Sequence, residues 1–302
     1  VTDDPDVLLA RVAVLGALAE SDEIAGIHLE GPFLSAARCG AQDAAAMRPG
    51  DPALVQALQA AAGGRLVTMT VAPEVPGVLA PGTSEGTSEG APGAGPGSTT
   101  GSSPGTVVDA LATLGVVPSI GHTDATAAVT RDALRRARSA LGRARAEGAV
   151  PPSSRAVPTV THLFNGMRPL HHRDPGPVAA CLAAAARGEA VVELVADGVH
   201  LDPETARSVL ETVGASNVAL VTDAMAAAGM PDGAFVLGGR AVEVVDGVAR
   251  LAGGGALAGG TAHLLDVVRT TVASGVPLVD AVRAASLTPA EVLGRDDVGA
   301  LE

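Results

Sequence analysis

Short apolar runs alternate with longer stretches of helical periodicity along most of the chain, the pattern of parallel strands joined by crossover helices. Strands are expected near residues 24–29, 66–72, 116–121, 157–162, 191–196 and 218–222. Helices are expected at 5–19, 51–62, 106–114, 124–147, 177–187 and 203–213, with two more at about 262–274 and 278–293. Pro52 and Pro203 each follow an Asp and fit a first helical turn. The polar chemistry concentrates where strands end, in His28-Leu29-Glu30-Gly31-Pro32, Gly121-His122-Thr123-Asp124, Thr161-His162-Leu163-Phe164-Asn165, Asp197-Gly198-Val199-His200 and Thr222-Asp223-Ala224.

An α/β chain with its reactive residues just beyond parallel strands is the arrangement of a TIM (β/α)8-type barrel, whose active site is assembled from the loops at the C-terminal strand ends. Six strands are visible where a closed barrel has eight. The expectation is therefore a partial barrel over 1–302, with the first two strands preceding Val1 and a further segment following Glu302. Two tracts read as low-complexity inserts, at about 80–105 (Gly, Pro, Ser, Thr, Glu and Ala, with a Thr-Ser-Glu-Gly repeat) and at 131–155 (rich in Ala and Arg). Both are expected to be surface excursions without chemistry. The glycine-rich run Gly253–Gly260 lacks the βαβ context of a dinucleotide fold and reads as a loop over the substrate.

Composition narrows the partners. At 47% apolar the chain can build a substantial core, but without Trp or Tyr and with three Phe it must pack mainly Ala, Val and Leu. A net charge of −13 argues against nucleic acid, which needs a basic face. No run approaches a membrane span. Cys39 and Cys181 make no disulfide framework, so the cytoplasm is the expected compartment.

A catalytic zinc takes about three protein ligands and keeps one position open. Glu30, His122 and His162 offer such a set from three strand ends, and Asp223 suits a general base that takes a proton from water and returns it to a leaving amine. His200 suits a hydrogen bond to a polarised carbonyl oxygen. Each has an ordinary reading as well: Glu30 as a solvated strand-end carboxylate, the two His as hydrogen-bonded structural residues, Asp223 as an N-cap, and His200 as a loop His held by Asp197 or Asp202. Asn165-Gly166 with His171, His172 and Arg173 forms a polar loop in which backbone N–H groups and a guanidinium suit an anion. His263 reads as helix surface or packing.

Taken together the motifs resemble the N-acetylglucosamine-6-phosphate deacetylases of the amidohydrolase superfamily, from about Val1 to Leu293. The resemblance implies one divalent metal on Glu30, His122 and His162, Zn2+ first with Fe2+, Mn2+ or Co2+ as alternatives. It implies Asp223 as acid/base, His200 beside the scissile amide, Asn165, Gly166 and Arg173 on the sugar phosphate, and Ala41, Gln42, Leu257, Ala258 and Gly259 lining the sugar site. Arg173 would reach into the neighbouring subunit of a homodimer. The reaction would release acetate from N-acetylglucosamine 6-phosphate; the alternatives are another N-acetylated sugar phosphate such as N-acetylgalactosamine 6-phosphate, or an inactive truncated remnant. All 20 basic residues are Arg, so the carboxylated lysine of the related dihydroorotases cannot be built. The chain departs from the family in reading Gly40-Ala41-Gln42 where Gly-Ala-His is usual, in lacking the His-x-His strand and the accessory β-sandwich, and in carrying Gly260 where Ser is common.

Overall fold

The computed structural model describes residues 2–80 and 105–300. Six strands, β1 (Ile27–Glu30), β2 (Leu66–Val71), β3 (Val117–Ile120), β4 (Thr159–Val160), β5 (Val191–Leu194) and β6 (Val218–Leu220), pair in sequence order, every pair parallel. The parallel sheet with its intervening helices curls into part of a (β/α)8-type barrel. The helices α1 (Pro5–Glu20), α2 (Pro52–Ala61), α3 (Val107–Thr113), α4 (Ala127–Ala146), α5 (Gly176–Ala186) and α6 (Pro203–Val213) alternate with these strands. All six expected strands and the six helices between and before them are present, with ends shifted by a few residues.

The helices start where short polar side chains can satisfy their free N–H groups. Asp51 accepts from the Ala53 amide at 2.8 Å, Asp202 from Glu204 at 2.9 Å, and Thr106 and Thr126 cap α3 and α4. Small side chains allow close layers. Gly16 on α1 sits where an added Cβ would lie 2.7 Å from the Ala62 carbonyl oxygen. Phe33, Met69, Leu58 and Leu111 supply the largest fully buried volumes of the main core.

Three expectations change. The Ala- and Arg-rich tract 131–155 is largely the body of α4, whose Ala133, Leu134, Ala137, Ala140, Leu141 and Ala144 are buried. A helix with small residues at i, i+3, i+4 and i+7 and Arg on the opposite side is an ordinary crossover helix, so most of this tract is not a surface excursion. The single helix expected at 278–293 is two, α8 (Leu278–Ala285) and α9 (Leu287–Leu293), broken at Ser286, while α7 (Leu264–Ala273) stands as expected. His263 is the exposed residue preceding α7. Most unexpected is an antiparallel sheet of β7 (Gly233–Leu237), β8 (Arg240–Val245) and β9 (Val248–Leu251) between β6 and α7. It buries Val242, Val244, Ala249 and Leu251 against Met225, Ala227 and Ala258, a core of its own. The insert read at 80–105 falls almost wholly outside the described residues.

Candidate metal centre and substrate pocket

His28 and Glu30 occupy alternate positions of β1 and so share its inner face. His28 is fixed by hydroxyls: its ring nitrogens lie 2.5 Å from Thr68 Oγ1 and 2.8 Å from Thr70 Oγ1. Thr70 continues to Thr161 Oγ1 at 2.8 Å, which meets Ser119 Oγ at 2.6 Å, forming a hydroxyl layer beneath the strand ends. His28 nevertheless keeps a solvent-exposed face on the open inner side of the sheet.

One layer further out, three side chains converge. His122 Nε2 and His162 Nε2 lie 2.7 Å and 2.9 Å from the same Glu30 oxygen, Oε1. The two rings meet edge to face, with centroids 4.9 Å apart. His122 and His162 each follow their strand by two residues, in the left-handed region at φ 44° and 28°. Asp223, beyond β6, lies there too, at φ 47°. Such a backbone costs about 1–3 kcal/mol per residue, and its concentration on three residues facing one point is characteristic of functional sites. Gly166 permits the geometry: it has φ 58°, and an added Cβ would lie 2.7 Å from His122 Nδ1.

Whether these residues fit a metal can be tested on the hydrogen bonding. His122 Nδ1 lies 2.7 Å from the Arg38 carbonyl oxygen, which can only accept, so Nδ1 carries the proton. In neutral His122 the Nε2 lone pair then faces the Glu30 carboxylate, an arrangement that requires a cation or a second proton between them. The ligand atoms of Glu30, His122 and His162 all lie within 4.8 Å of one another. A half-buried carboxylate with two buried imidazoles fits a divalent ion of the Zn2+ type, with Arg38 O as the outer partner that fixes the His122 tautomer.

The electrostatics agree. Burial opposes charge on Glu30, yet hydrogen bonds and charge from His122 and His162 hold its carboxyl well below the usual carboxylate range. Burial likewise opposes charge on His162, but Glu30 outweighs it and raises the imidazole to about 9. The Asp223 carboxyl is raised by loss of water around it and by the Glu30 charge, although the residue keeps a solvent-exposed face, a direction that suits a group able to accept and return a proton.

His200 is held as one of its ordinary readings expects, by Asp197: Nδ1 lies 2.8 Å from Asp197 Oδ2, and the amides of Val199 and His200 donate to Oδ1 at 2.9 Å and 2.8 Å. These bonds keep Asp197 ionised against its burial. Nε2 is left for whatever occupies the pocket.

A cavity of about 520 Å³ gathers Glu30, His122, His162, Asp223 and His200 with Ala41, Gln42, Asn165, Gly166, Leu257, Ala258 and Gly259. Arg173 is the one site residue expected from sequence that does not line it. It sits exposed in the loop after His162, its amide donating to His171 Nδ1 at 3.2 Å. Sequence reasoning missed Leu237 and Met225, which line the cavity, and the ion-pair cluster behind it. There Asp124 accepts from Arg38 Nε at 2.7 Å and Arg168 at 3.0 Å, while Glu74 accepts from Thr123 Oγ1 and the Asp124 amide, both at 2.6 Å. Asp124 stands two residues after His122 in its motif, the one signal that pointed there.

Comparison with known proteins gives a consistent result. The Amidohydrolase family model matches residues 156–302. The N-acetylglucosamine-6-phosphate deacetylase of Bacillus subtilis is 33% identical over 237 residues, covering 78% of this chain and 48% of that enzyme. A putative N-acetylgalactosamine-6-phosphate deacetylase of Escherichia coli K12 is 46% identical over 138 residues, 45% of this chain and 80% of that protein. Among solved structures, a mutant N-acetyl-D-glucosamine-6-phosphate deacetylase from Mycobacterium smegmatis, in complex with N-acetyl-D-glucosamine-6-phosphate, superimposes with a TM-score of 0.79 at 36% identity. That match covers 99% of this chain and 67% of the other. The chain thus spans about half the length of the Bacillus enzyme.

Proposed function

The chain belongs to the N-acetylglucosamine-6-phosphate deacetylase family of amidohydrolases, and from that premise we propose that it hydrolyses the acetamido group of N-acetylglucosamine 6-phosphate to glucosamine 6-phosphate and acetate. The observation that carries the proposal is the convergence of Glu30, His122 and His162 on one point of a cavity that Asp223 and His200 also line.

In this reading Glu30, His122 and His162 hold one divalent ion, Zn2+ by choice of ligands. Such an ion supplies Lewis acidity, polarising the acetyl carbonyl and making water a stronger nucleophile at neutral pH. Asp223 takes a proton as water adds to the carbonyl carbon. The C–N bond breaks as Asp223 returns that proton to the leaving nitrogen, so glucosamine 6-phosphate departs as the amine and acetate remains. His200, oriented by Asp197 at Nδ1, offers Nε2 to the carbonyl oxygen as negative charge develops there.

Asn165 and Gly166 receive the phosphate, while Ala41, Gln42, Leu257, Ala258 and Gly259 surround the sugar. Arg173 stands outside the cavity of its own chain, which suits a guanidinium delivered to the phosphate of a neighbouring copy in a homodimer. The chain's two unpaired cysteines and acidic balance suit a cytoplasmic enzyme.

The galactosamine epimer is the second reading, favoured by the 46% identity to the putative Escherichia coli enzyme. Acetate release from both 6-phosphates, with Zn2+ and with unphosphorylated N-acetylglucosamine as control, tests the proposal. Phosphate-dependent release supports it, and the ratio of kcat/KM between the epimers assigns the sugar. No release from a folded, zinc-loaded chain would overturn it.

A further inference from the structure

One wall of the cavity is built by residues remote from the strand ends. Leu237, the last residue of β7, lines the cavity beside Ala41 and Gln42. Just beyond the Gly238-Gly239 turn, Arg240 opens β8. Its Nη1 donates to the carbonyl oxygens of both Ala41 and Gln42, each at 3.1 Å. Gln42 is held elsewhere as well: its amide donates to Cys39 O at 3.0 Å, and its Oε1 accepts from the Thr2 amide at 2.7 Å. Among the described residues, only Nε2 of its hydrogen-bonding groups lacks a partner, although the side chain is buried at the cavity wall.

Leaving a buried donor unmet is costly, so a residue held in that state from three separate elements is arranged for an acceptor that arrives with the cavity's occupant. Gln is a neutral donor across the physiological range, and the Thr2 contact fixes which end of its amide is the donor.

We propose that Arg240 is a positioning residue for substrate: it fastens the β7–β8 turn onto residues 41–42, so that Leu237 and Ala41 close the side of the cavity and Gln42 offers Nε2 to an oxygen of the bound sugar. The kinetic part of this proposal rests on the sugar-phosphate reading above; the structural part does not.

The test compares the zinc-loaded chain with its Arg240→Ala, Arg240→Lys, Gln42→Ala and Gln42→Ala/Arg240→Ala variants. In Arg240→Ala, amide hydrogen exchange across residues 39–43 should accelerate about tenfold while the β1–β6 strands keep their protection. KM for the sugar phosphate should rise about tenfold with kcat within about twofold, the signature of lost binding common to ground and transition states. Zinc content should not change. Arg240→Lys should recover part of both effects, and it carries the test if Arg240→Ala does not fold. The double variant should lose less than the sum of the two single losses, because Arg240 acts partly through Gln42 and partly through the Leu237–Ala41 wall. Unchanged exchange at 39–43, a fall in kcat at constant KM, or additive losses would overturn the proposal. If the parent chain does not turn over the sugar phosphate, the functional reading fails, while the exchange result still decides whether Arg240 holds the segment.

Discussion

The six-stranded sheet and the three-stranded sheet face the same cavity and contribute to it in opposite ways. β1, β3, β4 and β6 deliver Glu30, His122, His162 and Asp223 from strand ends or the turns just beyond them, with a strained backbone and a hydroxyl layer beneath. The antiparallel β7–β9 delivers an apolar side chain, Leu237, and a guanidinium that grips two carbonyls. The first region sets what reaction is possible; the second sets the shape of the space in which it occurs. Chemistry placed on rigid parallel strands tolerates little displacement, whereas a wall can be altered with graded effect.

That contrast breaks or sharpens through four experiments. The largest effect is expected for Asp223→Asn, which leaves the three candidate metal ligands intact but removes the proposed proton carrier. Turnover should fall by about 10²–10⁴, the range of general acid–base catalysis, with zinc retained on metal analysis. Activity within a few-fold of the parent would remove Asp223 from its role.

Next comes the pH dependence of metal binding. In the metal-free protein His162 is raised to about 9, so at neutral pH a bound ion must displace its proton. Zinc affinity should therefore strengthen about tenfold per pH unit up to about 9 and then level off, which competition against a chelator would follow. The same shift has the opposite sign for the metal-free fold: its contribution to stability is complete below the unfolded imidazole value near 6.5 and is lost as pH rises through about 9. Flat zinc affinity between pH 6 and 9 would contradict the coupling of His162 to Glu30.

A smaller loss is expected for Asp197→Asn. It weakens the contact that orients the His200 ring while keeping the shape of the loop, and kcat should fall about 10–100-fold, as for other outer partners of site residues. The Asp197 carboxyl is held below its ordinary value, so its contribution to stability is present above the unfolded carboxylate range and lost on acidification. Thermal denaturation should show the variant destabilised at neutral pH and converging on the parent in acid.

The smallest effect belongs to the wall. Leu237→Ala should raise KM a few-fold with kcat nearly unchanged, because only non-directional contact is lost. A kcat loss as large as that of Asp197→Asn would mean that β7–β9 takes part in the chemistry and would erase the contrast.

The same division explains what could be read from the residues. β1 to β6 were legible because each is a short apolar run, and their motifs already named Glu30, His122, His162, Asp223 and His200. The β7–β9 sheet carries signals of its own, Gly238-Gly239 and Asp246-Gly247 at its turns and alternation at Val242, Glu243 and Val244, but they run into the Gly253–Gly260 stretch that reads as loop. Arg240 was not legible at all. Its partners, Ala41 and Gln42, precede it by nearly 200 residues, and neither carbonyl is marked by side-chain type. Helix α4 is legible from its periodicity, yet its mostly Ala buried stripe also reads as the composition bias of an insert, and only packing against β3 and α5 gives it an inner face.

The central claim is that Glu30, His122 and His162 form one metal centre with Asp223 beside it, free to move protons. Equilibrium zinc titration of the parent chain, Asp223→Asn and His162→Ala tests it most directly. One ion should bind per chain in the parent and in Asp223→Asn, with binding lost or weakened at least about 100-fold in His162→Ala, as expected when an imidazole ligand is removed from a three-ligand site. Undiminished binding in His162→Ala, or loss of binding in Asp223→Asn, would contradict the assignment.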